Sequence, residues 1–76
     1  MSADKLKQIV LDVFSHVTFE YKGISCGIDP FSETEFDIWY GDEVETVNSI
    51  DRVMDTPIFD GKPLNEIIDK ITELDY

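Results

Sequence analysis

The feature that most constrains the fold is the alternation of apolar and polar residues on both sides of the Lys22-Gly23 dipeptide. Such alternation is typical of β-strands with one buried face, and glycine supplies the positive φ that tight hairpin turns require. A two-residue turn sets three apolar pairs opposite one another: Val17 with Ile28, Phe19 with Cys26, and Tyr21 with Ile24. All six side chains then lie on one face, so the sequence predicts both a β-hairpin and its register.

The residues before this hairpin have helical periodicity. Between residues 4 and 17 the apolar positions follow the i, i+3, i+4, i+7 spacing of one helical face, and they are Leu6, Ile9, Val10, Val13, Phe14 and Val17. Ser2 is placed to cap this helix, and Asp4 falls in its first turn, where the helix dipole favours a negative charge. We therefore predict a helix over residues 4–17, with His16 near its end.

Further strands are expected after the hairpin. Asp29-Pro30 should end the second strand, because proline has no amide hydrogen to donate. Residues 35–40 alternate again and predict a third strand, with one face formed by Glu35, Asp37 and Trp39 and the other by Phe36, Ile38 and Tyr40. Residues 44–47 predict a fourth strand, whose register stays open because turns of two, three or four residues each misplace a side chain.

Two helical segments follow the strands. Ser49 can cap a short helix over residues 50–54, and Pro57 prevents that helix from continuing. Pro63 fits the first position of a last helix, whose apolar face would be Leu64, Ile67, Ile68, Ile71 and Leu74. The sequence therefore predicts a single α+β domain over residues 1–76. Its architecture is an antiparallel meander of three to four strands with the N- and C-terminal helices packed on one face, in the order α-β-β-β-β-α-α.

The composition indicates a folded and strongly acidic protein. Hydrophobic residues make up 42% of the chain, while 17 Asp and Glu face 6 Lys and Arg, for a formal net charge of -11. This charge repels nucleic acid and anionic lipid and attracts basic partners, although it also serves solubility alone in many proteins. With one cysteine, no signal-peptide pattern and no membrane-length apolar run, we expect a cytoplasmic protein without direct nucleic-acid or membrane binding.

The residue types offer little for catalysis or metal binding. Cys26 and His16 are the only cysteine and histidine, too few for a structural zinc site, and no third group is placed to orient them as nucleophile and base. Glu33, Glu35 and Asp37 are two residues apart and could hold a hard cation loosely, but a solvated sheet face is the simpler explanation. We therefore predict a non-enzymatic protein with no catalytic residue, metal site or cofactor.

The acidic residues are concentrated in the predicted sheet. Between Lys22 and Arg52 the chain has no basic residue and eight carboxylates: Asp29, Glu33, Glu35, Asp37, Asp42, Glu43, Glu45 and Asp51. Tryptophan is a frequent anchor of protein interfaces, and carboxylates steer basic partners. We therefore expect a protein-interaction surface formed by Trp39, Glu35, Asp37, Glu33 and Glu45 that binds a basic protein. The alternative is that a C-terminal loop or the short helix covers Trp39 as a second, minor core.

Residues 27–32, 34–42 and 59–62, with the sequences GIDPFS, TEFDIWYGD and FDGK, carry a resemblance to known proteins. They resemble a family of small uncharacterised acidic proteins of Gram-positive bacteria and their phages. The resemblance extends over most of the chain and implies a bacterial or phage origin, and it transfers no functional residue. Two other functions stay open: a nucleic-acid mimic that inhibits a DNA- or RNA-binding protein, and a carboxylate-based metal binder or small enzyme.

Overall fold

The computed structural model describes residues 1–76, which form a five-stranded antiparallel sheet with helices on one face. The elements are α1 (Ala3–Val13), β1 (Val17–Tyr21), β2 (Ile24–Ser32), β3 (Glu35–Tyr40), β4 (Glu43–Val47), α2 (Ile50–Asp55), α3 (Leu64–Ile67) and β5 (Thr72–Asp75). The spatial order is β4-β3-β2-β1-β5. The predicted α+β class and antiparallel meander are confirmed, and the sheet has one strand more than expected.

One hydrophobic core lies between the sheet and the helices. It contains 15 buried side chains: Val17, Phe19, Tyr21, Cys26, Ile28, Phe36 and Ile38 from the strands, Leu6, Val10, Val53, Met54, Leu64 and Ile67 from the helices, and Ile58 and Phe59 from a connection. The rings of Phe19 and Phe59 lie 5.7 Å apart between centroids. No buried side-chain nitrogen or oxygen lacks a hydrogen-bond partner.

The first hairpin has the predicted register. Val17, Phe19 and Tyr21 pair with Ile28, Cys26 and Ile24. Lys22 and Gly23 have φ values of 55° and 74°, as a two-residue type I′ turn requires. The alternating pattern and the turn residues therefore specify this part of the fold completely.

Helix α1 is one turn shorter than its periodicity predicts. The Oγ of Ser2 accepts a hydrogen bond from the backbone N–H of Lys5 at 3.1 Å, so the predicted cap is confirmed. The helix ends at Val13, because Phe14 takes a left-handed conformation with φ 44° and its N–H bonds to the carbonyl of Val10. Val17 satisfies both periodicities, and its pairing in the sheet decides its conformation.

The prediction that Asp29-Pro30 ends the second strand is wrong. Strand β2 continues to Ser32, and Pro30 pairs with Phe36 of β3. The alternation of hydrogen bonds along β2 turns the nitrogen of Pro30 toward the β1 side of the strand. Strand β1 begins opposite Ile28, so Pro30 lies beyond the β1–β2 ladder and its missing N–H removes no hydrogen bond from that ladder.

The expected long C-terminal helix is also wrong. Helix α3 is a single turn, and Pro63 occupies its N-cap position. The chain then forms β5, which pairs antiparallel with β1 and brings Asp75 opposite Thr18. Ile71 and Leu74 still pack against the core, so the apolar residues are used as expected in a different backbone conformation. The strand is favoured over the helix because it supplies hydrogen-bond partners to the backbone groups on the outer side of β1.

The register of β4, left open by the sequence, follows from a two-residue turn. Gly41 and Asp42 form this turn, and Gly41 has φ 58°. Trp39 then lies opposite Val44, and Ile38 lies opposite Glu45. This register leaves Val44 62% exposed, which explains why the apolar pattern alone does not select it.

Candidate functional site

The outer face of the sheet, opposite the helices, is not covered by any element of the chain. Its residues on β1 to β4 are Thr18, Glu20, Ser25, Gly27, Asp29, Glu35, Asp37, Trp39, Val44 and Thr46, and all but Gly27 are exposed or half-buried. Four of these residues are carboxylates and none is lysine or arginine. The outer face is therefore an open, negatively charged surface with one large aromatic side chain.

Trp39 lies flat against the backbone of the neighbouring strand. It pairs with Gly27 of β2, and a Cβ atom at Gly27 would lie only 2.5 Å from Cε2 and 2.7 Å from Nε1 of the indole. Real side chains do not approach so closely, so only glycine allows the indole to take this position. The ring buries Gly27 and stays half-exposed itself.

His16 completes a small cluster around this indole. Its ring is stacked beside that of Trp39, with centroids 6.1 Å apart and an angle of 21° between the planes. Its Nδ1 forms a hydrogen bond with a carboxylate oxygen of Asp29, in which the imidazole N–H donates. Trp39, His16, Asp29 and Gly27 therefore form one contiguous unit, which we call the indole cluster.

The indole cluster brings together residues that the sequence pattern does not connect. His16 was expected at a helix end, and it reaches the outer face because α1 stops at Val13. The alternative that a C-terminal loop or the short helix covers Trp39 does not describe the structure, because the ring beside the indole is that of His16, from the connection between α1 and β1, and the indole stays half-exposed. A glycine in a strand interior often marks a close approach, so Gly27 was the available signal.

The predicted interaction residues divide between two sides of the sheet. Glu35, Asp37 and Trp39 share the outer face of β3, and Asp37 accepts a 2.6 Å hydrogen bond from Thr46 Oγ1. Glu33 lies in the turn between β2 and β3 and is exposed. Glu45 lies opposite Ile38, so its side chain projects from the helix-bearing side. The structure therefore groups the first three residues, places Glu33 at their edge, and separates Glu45 from them.

Glu45 instead lines a cleft at the end of β3 and β4. The cleft has a volume of about 480 Å³ and is lined by Thr34, Glu35, Glu45, Thr46, Val47, Asn48, Arg52 and Thr56. Its single hydrophobic lining residue is Val47, so it differs from the mostly apolar pockets that bind small molecules. No group of three or more His, Cys, Asp and Glu side chains is close enough to hold a metal ion.

Cys26 and His16 lie on opposite sides of the sheet. The Cys26 thiol faces the core, donates to the carbonyl of Ile24 at 3.3 Å, and has its pKa raised to about 11 by burial. A thiol with this pKa is almost entirely protonated at neutral pH and is a poor nucleophile. The geometry therefore keeps the one thiol and the one imidazole of the chain apart.

Comparison with known proteins found no match: no family model fits the chain, and neither a curated protein nor a solved structure matches it. None of the helices is both long and apolar enough to cross a membrane. Functional inference for this chain therefore depends on the surface itself.

Proposed function

We propose that this protein is a non-enzymatic, acidic interaction module that binds a basic partner protein through the outer face of its sheet. The observation that supports this most directly is the half-exposed indole of Trp39 on a sheet face that no element covers. The carboxylates of Glu35 and Asp37 lie on the same strand and the same face. An aromatic anchor beside unpaired negative charge suits a partner with an apolar residue flanked by lysine or arginine.

The local geometry holds this surface in one arrangement. Asp29 and Asp37 are fixed by hydrogen bonds to His16 and Thr46, and the indole rests on Gly27. A preformed surface loses little conformational entropy on binding, so more of the contact energy appears as affinity. Glu35 makes no salt bridge within the chain and is free to pair with a partner's cation.

The proposal is tested by titrating the protein with a synthetic nine-residue peptide in which lysine and valine alternate. Trp39→Ala should weaken binding about tenfold or more, since aromatic anchors dominate interface energies. Glu35→Lys should weaken binding at low salt, and the difference should disappear near 1 M salt, where the Debye length is about 3 Å.

The matched control is Glu66→Lys, which makes the same charge change at an exposed residue of α3, on the helix-bearing side. It should weaken binding much less than Glu35→Lys, because the charge is removed far from the outer face. If the two reversals weaken binding equally, or if Trp39→Ala binds like the wild type, attraction to the net charge alone accounts for the result and the proposal is overturned.

A further inference from the structure

We propose that the basic partner binds as an extended strand added to the free edge of β4. This inference rests on the proposed function and specifies its binding mode. Strand β4 is the last strand on one side of the sheet, and no helix or loop covers it, since four of its five residues are exposed. Addition of an extended peptide to such an edge is a common mode of recognition, in which backbone hydrogen bonds supply affinity.

The backbone of β4 has unpaired hydrogen-bonding groups along this edge. The N–H of Gly41, the residue after β3, donates to the carbonyl of Ser25 at 2.8 Å, so the backbone polar groups of Gly41 point toward β2. The alternation of an antiparallel ladder then turns Tyr40 and its partner Glu43 toward each other. It follows that Val44 and Thr46 direct their N–H and C=O groups away from the sheet, which leaves four groups for a further strand.

The other edge of the sheet is protected. The pairing of β5 with β1 shifts register between Thr18 and Glu20, and Glu73 of β5 has a left-handed φ of 55°. A bulge of this kind bends an edge strand and prevents continuous pairing with another chain. The pairing of β4 is regular over all five of its residues, so β4 is the edge suited to strand addition.

A second copy of this chain does not suit the edge. The antiparallel register with the longest overlap would place Glu45 of one copy opposite Glu45 of the other. Like charges directly opposite each other destabilise strand pairing, and each chain carries a net charge of -11. The negative charge of the β4 edge therefore opposes self-association of two copies.

A strand that alternates basic and apolar residues does suit the edge. Basic side chains opposite Glu43 and Glu45 would form cross-strand pairs of opposite charge on the helix-bearing side, while the carboxylates of the outer face, Glu35 among them, would attract the same basic strand over a longer range. The intervening apolar side chains would then lie on the outer face beside Val44, which is 62% exposed and next to Trp39. Both sets of contacts form at once only if the partner is extended.

The test uses the lysine–valine peptide in two N-methylated forms. In the expected antiparallel pairing the peptide valines face Val44 and Thr46, so their N–H groups point toward β4 while the lysine N–H groups point away. Methylating the backbone nitrogens of the valines should weaken binding at least tenfold, because it removes the N–H groups that donate to β4. Methylating the same number of lysine backbone nitrogens should leave the affinity within about threefold, because these N–H groups point away from β4. A threefold change in affinity corresponds to roughly 0.7 kcal/mol.

NMR spectra of the same titration locate the peptide. We expect the amide signals of Val44 and Thr46 to shift most and their exchange with solvent to slow. Equal affinities of the two methylated peptides, with shifts at Trp39 and Glu35 only, would overturn strand addition and leave the proposed function intact. No perturbation of Trp39 by any peptide at low salt would overturn the proposed function, and strand addition with it.

A protein variant provides a second, independent test. Val44→Pro removes the outward N–H and no hydrogen bond to β3, and edge strands tolerate proline. Its matched control is Val44→Ala, which removes the side chain and keeps the amide. With the fold of both variants verified by circular dichroism, Val44→Pro should bind about tenfold more weakly than Val44→Ala. Equal affinities would contradict the proposal.

Discussion

The contact between Gly27 and Trp39 predicts that Gly27→Ala destabilises the wild-type protein and stabilises a variant that lacks the indole. A Cβ atom at Gly27 would lie 2.5 Å from Cε2 of the indole, so Gly27→Ala must push Trp39 off the sheet. Overpacking of this kind costs about 1–3 kcal/mol. Replacing glycine by alanine in a strand interior also stabilises a protein by about 0.5–1 kcal/mol, because the unfolded chain then has less conformational entropy to lose on folding. Because the indole lies at the surface and can swing away, we expect a net loss of about 1 kcal/mol.

The same substitution in a Trp39→Ala background should have the opposite sign. No indole is then present to collide with the new methyl group, and only the strand preference of alanine over glycine acts. We expect Gly27→Ala to stabilise that variant by about 0.5–1 kcal/mol. The coupling energy between the two positions is therefore about 1.5–2 kcal/mol, within the range measured for residues in contact.

Urea unfolding of the four proteins, followed by circular dichroism, measures both differences. The m-values should stay equal across the cycle, so that shifts of the midpoint report stability alone. If Gly27→Ala changes stability in the same direction with and without Trp39, then the indole does not rest on Gly27. The preformed outer face would lose its physical basis.

Three further predictions concern other parts of the molecule. A thiol reagent at neutral pH should modify Cys26 quickly in urea and only very slowly in the native protein, because burial raises the thiol pKa to about 11; similar rates in both states would contradict its burial. The hydrogen bond from Lys22 holds the pKa of Asp60 below its usual value, so the pair stabilises the fold above the unfolded-state pKa and ceases to do so as the pH falls through the folded-state pKa. Asp60→Asn should therefore be less stable than the wild type at pH 7, and the difference in urea midpoint should shrink below about pH 4. Ser49→Ala should cost about 1 kcal/mol, because the serine Oγ caps α2 by accepting from the N–H of Arg52 at 3.1 Å, while Ser49→Asp should retain most of the stability.

The parts of the fold that could be predicted are those where local and long-range preferences agree. In the first hairpin, the Lys22-Gly23 turn and the apolar alternation select the same register, and the structure has that register. In the C-terminal segment they disagree. The spacing of Leu64, Ile67 and Ile71 fits a helix, but the edge of β1 needs a strand, and this need is invisible until the sheet is assembled.

The outer face shows the same limit. Alternation along β3 places Trp39, Glu35 and Asp37 on one side, as the structure has them. The position of the indole depends on the pairing of β2 with β3, which brings Gly27 under it, and on the early end of α1, which releases His16. Glu45 is expected on the same surface and lies on the other side of the sheet, because its side depends on a turn length that its own residues do not determine.

The connection that precedes β5 has a consequence for the kinetics of folding. Strands β1 to β4 are joined by two-residue turns, whereas β5 must return to β1 across residues 22–71. Closing a long loop costs more entropy than closing a hairpin, and distant pairings form later. We therefore expect the meander to form first and β5 to dock last. Because its pairing costs the most chain entropy, β5 should also be the strand that opens most readily in the folded protein. Thr18 and Glu20 of β1 pair with β5, so hydrogen exchange of their amides would report this opening.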